Sequence, residues 1–393
     1  MLLEQCCPVC DSPKLEAFFE MTEVPVFCNL LWPDQQAAKS CPKGDIQLAF
    51  CPACGFIGNV AFDLARLKYS QAYENSLDFS PRFQKYAQSL ATALVEDLHL
   101  YDKTIVEIGC GKGDFLALLC RLGHNRGIGF DPTYIPLPEH QVLGKQFQVI
   151  QDFYSERYGN YQADFFCCRH TLEHIPTPIG LLQTLRKSMG DRDQTLVFLE
   201  VPNALDTFCH LAIWDIIYEH CCYFAPVTLA YALAASGFQV QGLAEAYQGQ
   251  FLTITATPSH PQPDFTEQHR IAVQELADEI AAFPIKFQHK VKTWQEQLNQ
   301  FLARGKRLVI WGAGSKGVTF SNLLQTQDQI EYMVDVNPRK HGMYAAGTGQ
   351  QIIPPELLQE YQPDLILVMN SIYESEIYQM LQSMDLDAET LCV

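Results

Sequence analysis

Between Thr104 and Thr257, short apolar runs alternate with stretches whose apolar residues return every three or four positions. The runs Thr104–Ile108, Gly127–Phe130, Phe147–Ile150, Asp164–Cys168 and Thr195–Glu200 predict buried strands. Helical spacing covers Ile179–Met189 and Pro226–Ser236, and Phe238–Thr257 reads as a closing hairpin. Strands alternating with helices predict a mostly parallel sheet. Upstream, Ser80-Pro81 marks a helix start, with serine capping and proline in the first turn. Phe83, Ala87, Leu90, Ala91 and Leu94 then repeat at helical spacing. Downstream, Ser259–Pro263 reads as a linker. Thr266–Ala282 and Ile285–Ala303 follow as two helices broken at Pro284, which predicts a helical hairpin. A strand at Arg307–Trp311, a glycine turn and a second strand at Ile330–Val334 close the pattern. The chain thus divides into a module at 1–75, a central α/β domain at 76–258, a helical linker at 259–305 and a smaller α/β domain at 306–393.

The polar positions cluster where the strands end. Glu107, Gly109, Gly111 and Gly113 make the pattern E-x-G-x-G-x-G. Alternate glycines let the backbone turn sharply and let a flat ligand come close. The fingerprint G-x-G-x-x-G instead holds a pyrophosphate at a helix N-terminus. The turn at Gly109–Gly113 therefore suits a ligand without phosphates. It resembles motif I of the class I S-adenosylmethionine (SAM) methyltransferases. Asp131 lies 18 residues beyond Gly113, where a carboxylate could hold both ribose hydroxyls. Asp152, at the end of the third strand, is a candidate contact to the adenine amino group. His170 and His174 follow the fourth strand and are placed to line the donor pocket or to cap the next helix. Glu219-His220 sets a titratable base beside a carboxylate, and histidine is the commonest general base near neutral pH. The alternative is a structural histidine packed between Trp214 and Tyr223. Tyr73 belongs to a polar, aromatic stretch that reads as a connector or as a lid over the glycine turn.

Charge and cysteine content narrow the partners. A net charge of −18 over 393 residues excludes a nucleic-acid backbone or an anionic membrane as the main partner. No apolar run is long enough to span a bilayer, and the first residues lack the basic-then-apolar pattern of a secretory signal. A cytoplasmic setting is expected, where fifteen cysteines favour metal binding over disulfides. Cys7-Pro8-Val9-Cys10 and Cys51-Pro52-Ala53-Cys54 form two knuckles, each aiming two thiolates at one tetrahedral zinc ion. Such a closed site is structural. Acids outnumber bases in this module, so it lacks a nucleic-acid footprint. The last domain does carry G-x-G-x-x-G, at Gly312, Gly314 and Gly317, with Asp335 23 residues after Gly312. Its length, about 90 residues, suffices for half a nucleotide fold. Lys316, Arg339 and Lys340 could receive phosphate, which favours a nucleotide-sugar site over NAD.

Taken in order, C-P-x-C twice, E-I-G-C-G-K-G-D, T-L-E-H-I-P, Y-E-H-x3-F and W-G-A-G-S-K-G with D-x-N-P-R-K resemble the sugar C-methyltransferase family of three-part SAM enzymes. The resemblance implies a zinc-ribbon-like module and a class I Rossmann-like methyltransferase sheet. It also implies a C-terminal Rossmann-like domain that helps hold a nucleoside-diphosphate 4-keto sugar. The implied chemistry is proton abstraction at C3, beside the C4 ketone, and attack of the enolate on the SAM methyl. His220, with Glu219 beside it, matches the family's E-H pair, in which histidine is the base. The family tyrosine three positions before that histidine is Ile217 here, and tyrosine stands at Tyr218 instead. Tyr73 resembles an active-site tyrosine of the lid region. The alternatives are O- or N-methylation of another small molecule, or NAD-dependent oxidoreduction at Gly312–Gly317.

Overall fold

The computed structural model describes residues 6–67, 72–261 and 266–393. The linker expected at Ser259–Pro263 lies partly outside the described residues. Three sheets organise the rest. The first is antiparallel, with Glu16–Pro25 (β1), Lys43–Phe50 (β2) and Ile57–Asn59 (β3) side by side. Its fourth strand is only Cys222–Tyr223, from the middle of the chain, paired to Ile57 and Gly58. The N-terminal module therefore grips the loop that follows the central domain's fifth strand.

The second sheet contains Thr104–Ile108 (β4), Arg126–Phe130 (β5), Phe147–Ile150 (β6), Phe165–Arg169 (β7) and Leu196–Pro202 (β8). Beyond Cys222–Tyr223 (β9), Phe238–Ala246 (β10) and Phe251–Pro258 (β11) complete it. Its order is β10-β11-β8-β7-β4-β5-β6, antiparallel only at β10–β11 and β11–β8. This is the class I Rossmann-like sheet that the resemblance implied, finished by the expected hairpin. All five residues of β7, Phe-Phe-Cys-Cys-Arg, are buried, as a strand covered on both faces requires.

The third sheet is Leu308–Trp311 (β12), Tyr332–Val334 (β13), Gln351–Ile353 (β14), Leu365–Val368 (β15) and Glu389–Cys392 (β16). Its order is β14-β13-β12-β15-β16, parallel throughout. The expectation of half a nucleotide fold is corrected. Strands of three or four residues let the segment complete a five-stranded parallel sheet. The chain reverses its winding direction between β4 and β7 in one sheet and between β12 and β15 in the other. Open parallel sheets bind ligands at the carboxyl ends of the strands beside such a reversal.

The helices match expectation at one end of the chain and correct it at the other. Pro81–Asp97 is helical, and the Ser80 hydroxyl accepts from the Phe83 N–H at 3.2 Å. The hairpin expected around Pro284 is instead one helix, Glu267–Ala303. A proline inside a helix costs about 3 kcal/mol. Here an unbroken apolar stripe outweighs that cost: Val273, Leu276, Ile280, Phe283, Phe287 and Leu298 are all buried. Phe19 of β1 meets the rings of Phe283 and Phe287 at 5.2 and 4.6 Å, and Trp294 meets Phe320 of the last domain at 5.8 Å. The helix thus packs against the first sheet and against the helix Ser315–Leu324 of the last domain. Among the described residues no helix is long and apolar enough to cross a membrane.

Candidate active site

A cavity of about 970 Å³ opens where the carboxyl ends of the second and third sheets face each other. Residues 107–112 and Asp131 line one side, and Trp311, Gly312 and Gly314–Gly317 line the other. The loop at 215–220 and the stretch around Tyr73 contribute the remaining walls. Both glycine turns singled out in the sequence therefore face one space.

The first turn is built around left-handed backbone. Gly109 and Gly113 have φ of 67° and 86°. A Cβ on Gly109 would lie 1.9 Å from Thr171 Oγ1, so no side chain is tolerated there. The Gly111 N–H donates to Asp131 Oδ2 at 2.9 Å, and Asp131 Oδ1 accepts from the Thr133 N–H at 2.7 Å. Asp131 is thus locked to the turn it faces. Asp152 also lines the cavity, where its carboxylate accepts from Tyr158 Oη at 2.6 Å and meets Arg157. The Tyr158 hydrogen bond holds that carboxyl below its usual range. Burial pushes Glu107 up to about 8, and burial together with Asp114 pushes Asp78 up to about 6. Asp78, Glu107, Asp114, Asp131 and Asp152 give this end of the cavity an acidic lining.

Beneath it lies a buried ionic network. Arg169 donates through Nε and Nη2 to Glu200 Oε1 at 3.1 and 2.8 Å and stacks on the Phe115 ring at 3.9 Å. His170 lines the cavity, and its Nε2 lies 2.7 Å from the same Glu200 oxygen. Tyr86 donates its hydroxyl to Glu200 Oε2.

The loop after β8 divides the residues that the sequence had grouped. His220 lines the cavity, as do Asp215 and Ile217. Tyr218 does not line it: its ring packs over Gly44, and its hydroxyl accepts from the Asp63 N–H at 2.9 Å. A catalytic role for Tyr218 is therefore corrected to anchoring the loop on the N-terminal module. Glu219 is also turned away from the cavity. Its Oε2 accepts from the Cys28 N–H at 2.8 Å, and the Tyr73 side chain hydrogen-bonds to it. Burial raises Glu219 to about 7 against those two bonds. A direct catalytic contact by Glu219 is corrected to support of Tyr73, which does line the cavity. Residues 217–220 form a turn, closed by the His220 N–H donating to the Ile217 carbonyl at 3.2 Å, and the E-H pair splits between two surroundings.

Desolvation lowers His220 to about 3, with a ring hydrogen bond to the Asp215 backbone opposing it. His220 is therefore neutral near pH 7, and the burial that disfavours its charged form also makes the ring a weaker base than a free imidazole. The His174 ring stands 4.9 Å away by centroids. Glu173, His174 and His220 bring one ligand atom each within 4.8 Å of one another. Glu173, which the sequence alone does not place in the site, also lines the cavity from the T-L-E-H-I-P segment.

In the second turn the Ala313 N–H donates to Asp335 Oδ2 at 3.1 Å, and Lys340 Nζ lies 3.1 Å from the same oxygen. Gly317 is packed so tightly that a Cβ would lie 2.0 Å from the Gly312 carbonyl oxygen. Lys316 faces the cavity, paired with Asp215 Oδ2 at 3.1 Å and Gln250 Oε1 at 3.2 Å. Arg339 is not part of the lining: Glu74 holds it at 3.3 Å, and it stacks on Phe79 at 5.3 Å. Its expected contact with substrate is corrected to a tie between the last domain and the segment after Tyr73. Outside the cavity lining, Cys7 and Cys54 have Sγ atoms 3.7 Å apart, and Cys10 and Cys51 3.6 Å. Tetrahedral zinc with bonds of about 2.3 Å needs sulfurs about 3.8 Å apart, so the four thiols fit that ion.

Two family models match the chain, one on each side of residues 244–248. Residues 81–243 match a family model described as a methyltransferase domain. Residues 249–390 match one described as a C-methyltransferase C-terminal domain. A curated tRNA U34 carboxymethyltransferase of Aliarcobacter butzleri is 30% identical over 106 residues, 25% of this chain and 34% of that protein. The chain thus spans about a third of the length of that relative. Among solved structures, a Burkholderia thailandensis 1,6-didemethyltoxoflavin-N1-methyltransferase with bound S-adenosylhomocysteine aligns at 16% identity and TM-score 0.36. That alignment covers 46% of this chain and 81% of the other. The magnesium protoporphyrin IX methyltransferase of Synechocystis PCC 6803, also with the demethylated cofactor bound, aligns at 18% identity and TM-score 0.36, covering 47% and 89%.

Proposed function

We propose that this chain, which belongs to the SAM-dependent C-methyltransferase family, methylates a ketone-activated carbon of a nucleotide-linked 4-keto sugar. The observation that carries the reading is one cavity holding a neutral His220 between the two glycine turns. The oxidoreductase alternative gives way, because both family models describe methyltransferases.

SAM, once bound, supplies an electrophilic methyl group on a sulfonium. Gly109–Gly113 give it a close backbone approach. Asp131 has carboxylate lone pairs left for the ribose hydroxyls, and Asp152 reaches the adenine side. Asp78, Asp114 and Asp131 in the lining complement a ligand bearing an ammonium and a sulfonium. His170, pinned by Glu200, closes the floor. On the opposite wall Gly312, Gly314, Lys316 and Gly317 receive the nucleotide part of the acceptor, and Asp335 holds that turn in shape. His220 takes the C3 proton of the sugar. The C–H electron pair passes into the enolate, whose C3 forms the new bond to the methyl carbon as the sulfur–methyl bond breaks and its electron pair stays on sulfur, leaving S-adenosylhomocysteine. Tyr73, held by Glu219, borders the sugar.

Methyl transfer from SAM to a panel of nucleotide-linked keto sugars, with solvent deuterium exchange followed at C3, tests this. Exchange at C3 without SAM is expected. Transfer only to oxygen or nitrogen acceptors would overturn the carbon assignment. Asp131→Ala is expected to weaken SAM binding by about 10- to 100-fold, the worth of hydrogen bonds to a charged group. Unchanged affinity in calorimetry would remove Asp131 from the ribose.

We assign the four-cysteine cluster, which is not part of the cavity lining, to structural zinc. One zinc per chain is expected by elemental analysis. Cys51→Ser should lose it and lower the melting temperature, because the ligands do not converge in the unfolded chain. A metal-free protein of unchanged stability would refute the assignment.

A further inference from the structure

We infer that Glu173, His174 and His220 form a second metal site, for a divalent transition ion, at the cavity end of T-L-E-H-I-P. Two imidazoles and one carboxylate, with the cavity left as an open side, are the donors that zinc, cobalt and iron prefer over magnesium or calcium. All three residues line the cavity. Their ligand atoms lie within 4.8 Å of one another. Neighbouring donors around such an ion sit about 3 Å apart, given bonds of about 2.1 Å. The side chains must therefore close by only an ångström or two.

Glu173 is the observation that points to a ligand. It is 2% exposed, and neither of its carboxylate oxygens has a hydrogen-bond partner. Its nearest basic group is His170 Nδ1, 3.9 Å away. A buried carboxylate without hydrogen bonds is costly unless a cation or a proton satisfies it. The histidines are held in the manner of metal ligands, each tied to a backbone carbonyl. His174 Nδ1 lies 3.0 Å from the Glu219 carbonyl oxygen, which fixes Nδ1–H and puts the lone pair on Nε2. The His220 ring makes the matching bond to the Asp215 backbone. The site is separate from the four cysteines and has no thiolate ligand.

Occupancy has a consequence for the reaction that rests on the reading of His220 as the base. One nitrogen lone pair cannot hold an ion and accept a proton together, so the ion competes with proton abstraction.

Cobalt(II) titration of the full chain, with its cysteine cluster already filled by zinc, tests the site. One further ion per chain is expected by equilibrium dialysis, with visible ligand-field bands and no thiolate-to-cobalt charge transfer. Glu173→Gln and His174→Ala should each weaken that binding by at least about tenfold while circular dichroism stays that of the parent. Binding of no further cobalt, binding unaffected by both variants, or a thiolate band would overturn the site. Turnover separates the two readings. Inhibition by cobalt, relieved by dialysis, supports both. Activation leaves the site standing and removes His220 as the base. Absence of binding removes the site and leaves the base reading untouched.

Discussion

Replacing His220 with asparagine is expected to lower kcat by about 10²- to 10⁴-fold, the usual contribution of a positioned acid–base group. SAM affinity should stay within about twofold of the parent, since the glycine turn and Asp131 lie on other elements. The argument is one of position and charge state together. His220 borders the cavity, while Tyr218 and Glu219, the two residues before it, are spent on the N-terminal module. Burial keeps its ring neutral near pH 7, the form that can take a proton. Asparagine keeps a polar group of similar reach without a basic nitrogen. Solvent deuterium exchange at C3 distinguishes a base from a residue that only shapes the wall: a base takes the exchange with it when removed. An asparagine variant that still exchanged C3, or turned over like the parent, would take His220 out of the chemistry.

What the sequence made legible follows from how local each feature is. The turn at Gly109–Gly113 and the carboxylate at Asp131 depend on one strand–turn–helix–strand unit, and both appear where the spacing placed them. The four cysteines announce themselves in two short knuckles and converge to within bonding range of one ion. The loop from Trp214 to Phe224 has no periodicity, so nothing in it told which way Tyr218, Glu219 or His220 points. That was settled by distant partners: Gly44 and Asp63 for Tyr218, and Cys28 and Tyr73 for Glu219. Arg339 looked like a phosphate ligand because Glu74, 265 positions away, could not be paired with it in advance. Pro284 has a local cost visible in the sequence, but the stripe that outweighs it is satisfied by residues distant in the chain, Phe19 and Phe208 against Phe283 and Phe320 against Trp294. Cys222–Tyr223 is too short to be seen as a strand without its partner β3.

Arg169→Met is expected to destabilise the central domain by about 3–5 kcal/mol, the cost of stranding one member of a buried ion pair. Arg169 and Glu200 are both buried, with side-chain exposures of 8% and 0%. Burial alone would raise the Glu200 carboxyl. The Arg169 guanidinium, with bonds from His170 and Tyr86, outweighs burial and holds it at about 2. Methionine can keep contact with Phe115 but leaves that carboxylate without its cation. The melting temperature should fall by roughly 6–20 °C. The pH dependence has a definite sign. A carboxyl whose folded value lies below its unfolded value, about 4.3, gives stability that is full above pH 4.3. That stability is lost as pH falls through about 2. The parent's advantage over Arg169→Met should therefore be widest near neutrality and shrink from about pH 4 downward. Adding Glu200→Gln should recover part of the loss, because the second change removes the stranded charge. A double variant no more stable than Arg169→Met would mean that guanidinium packing on Phe115, and not the charge of Glu200, is what the domain loses.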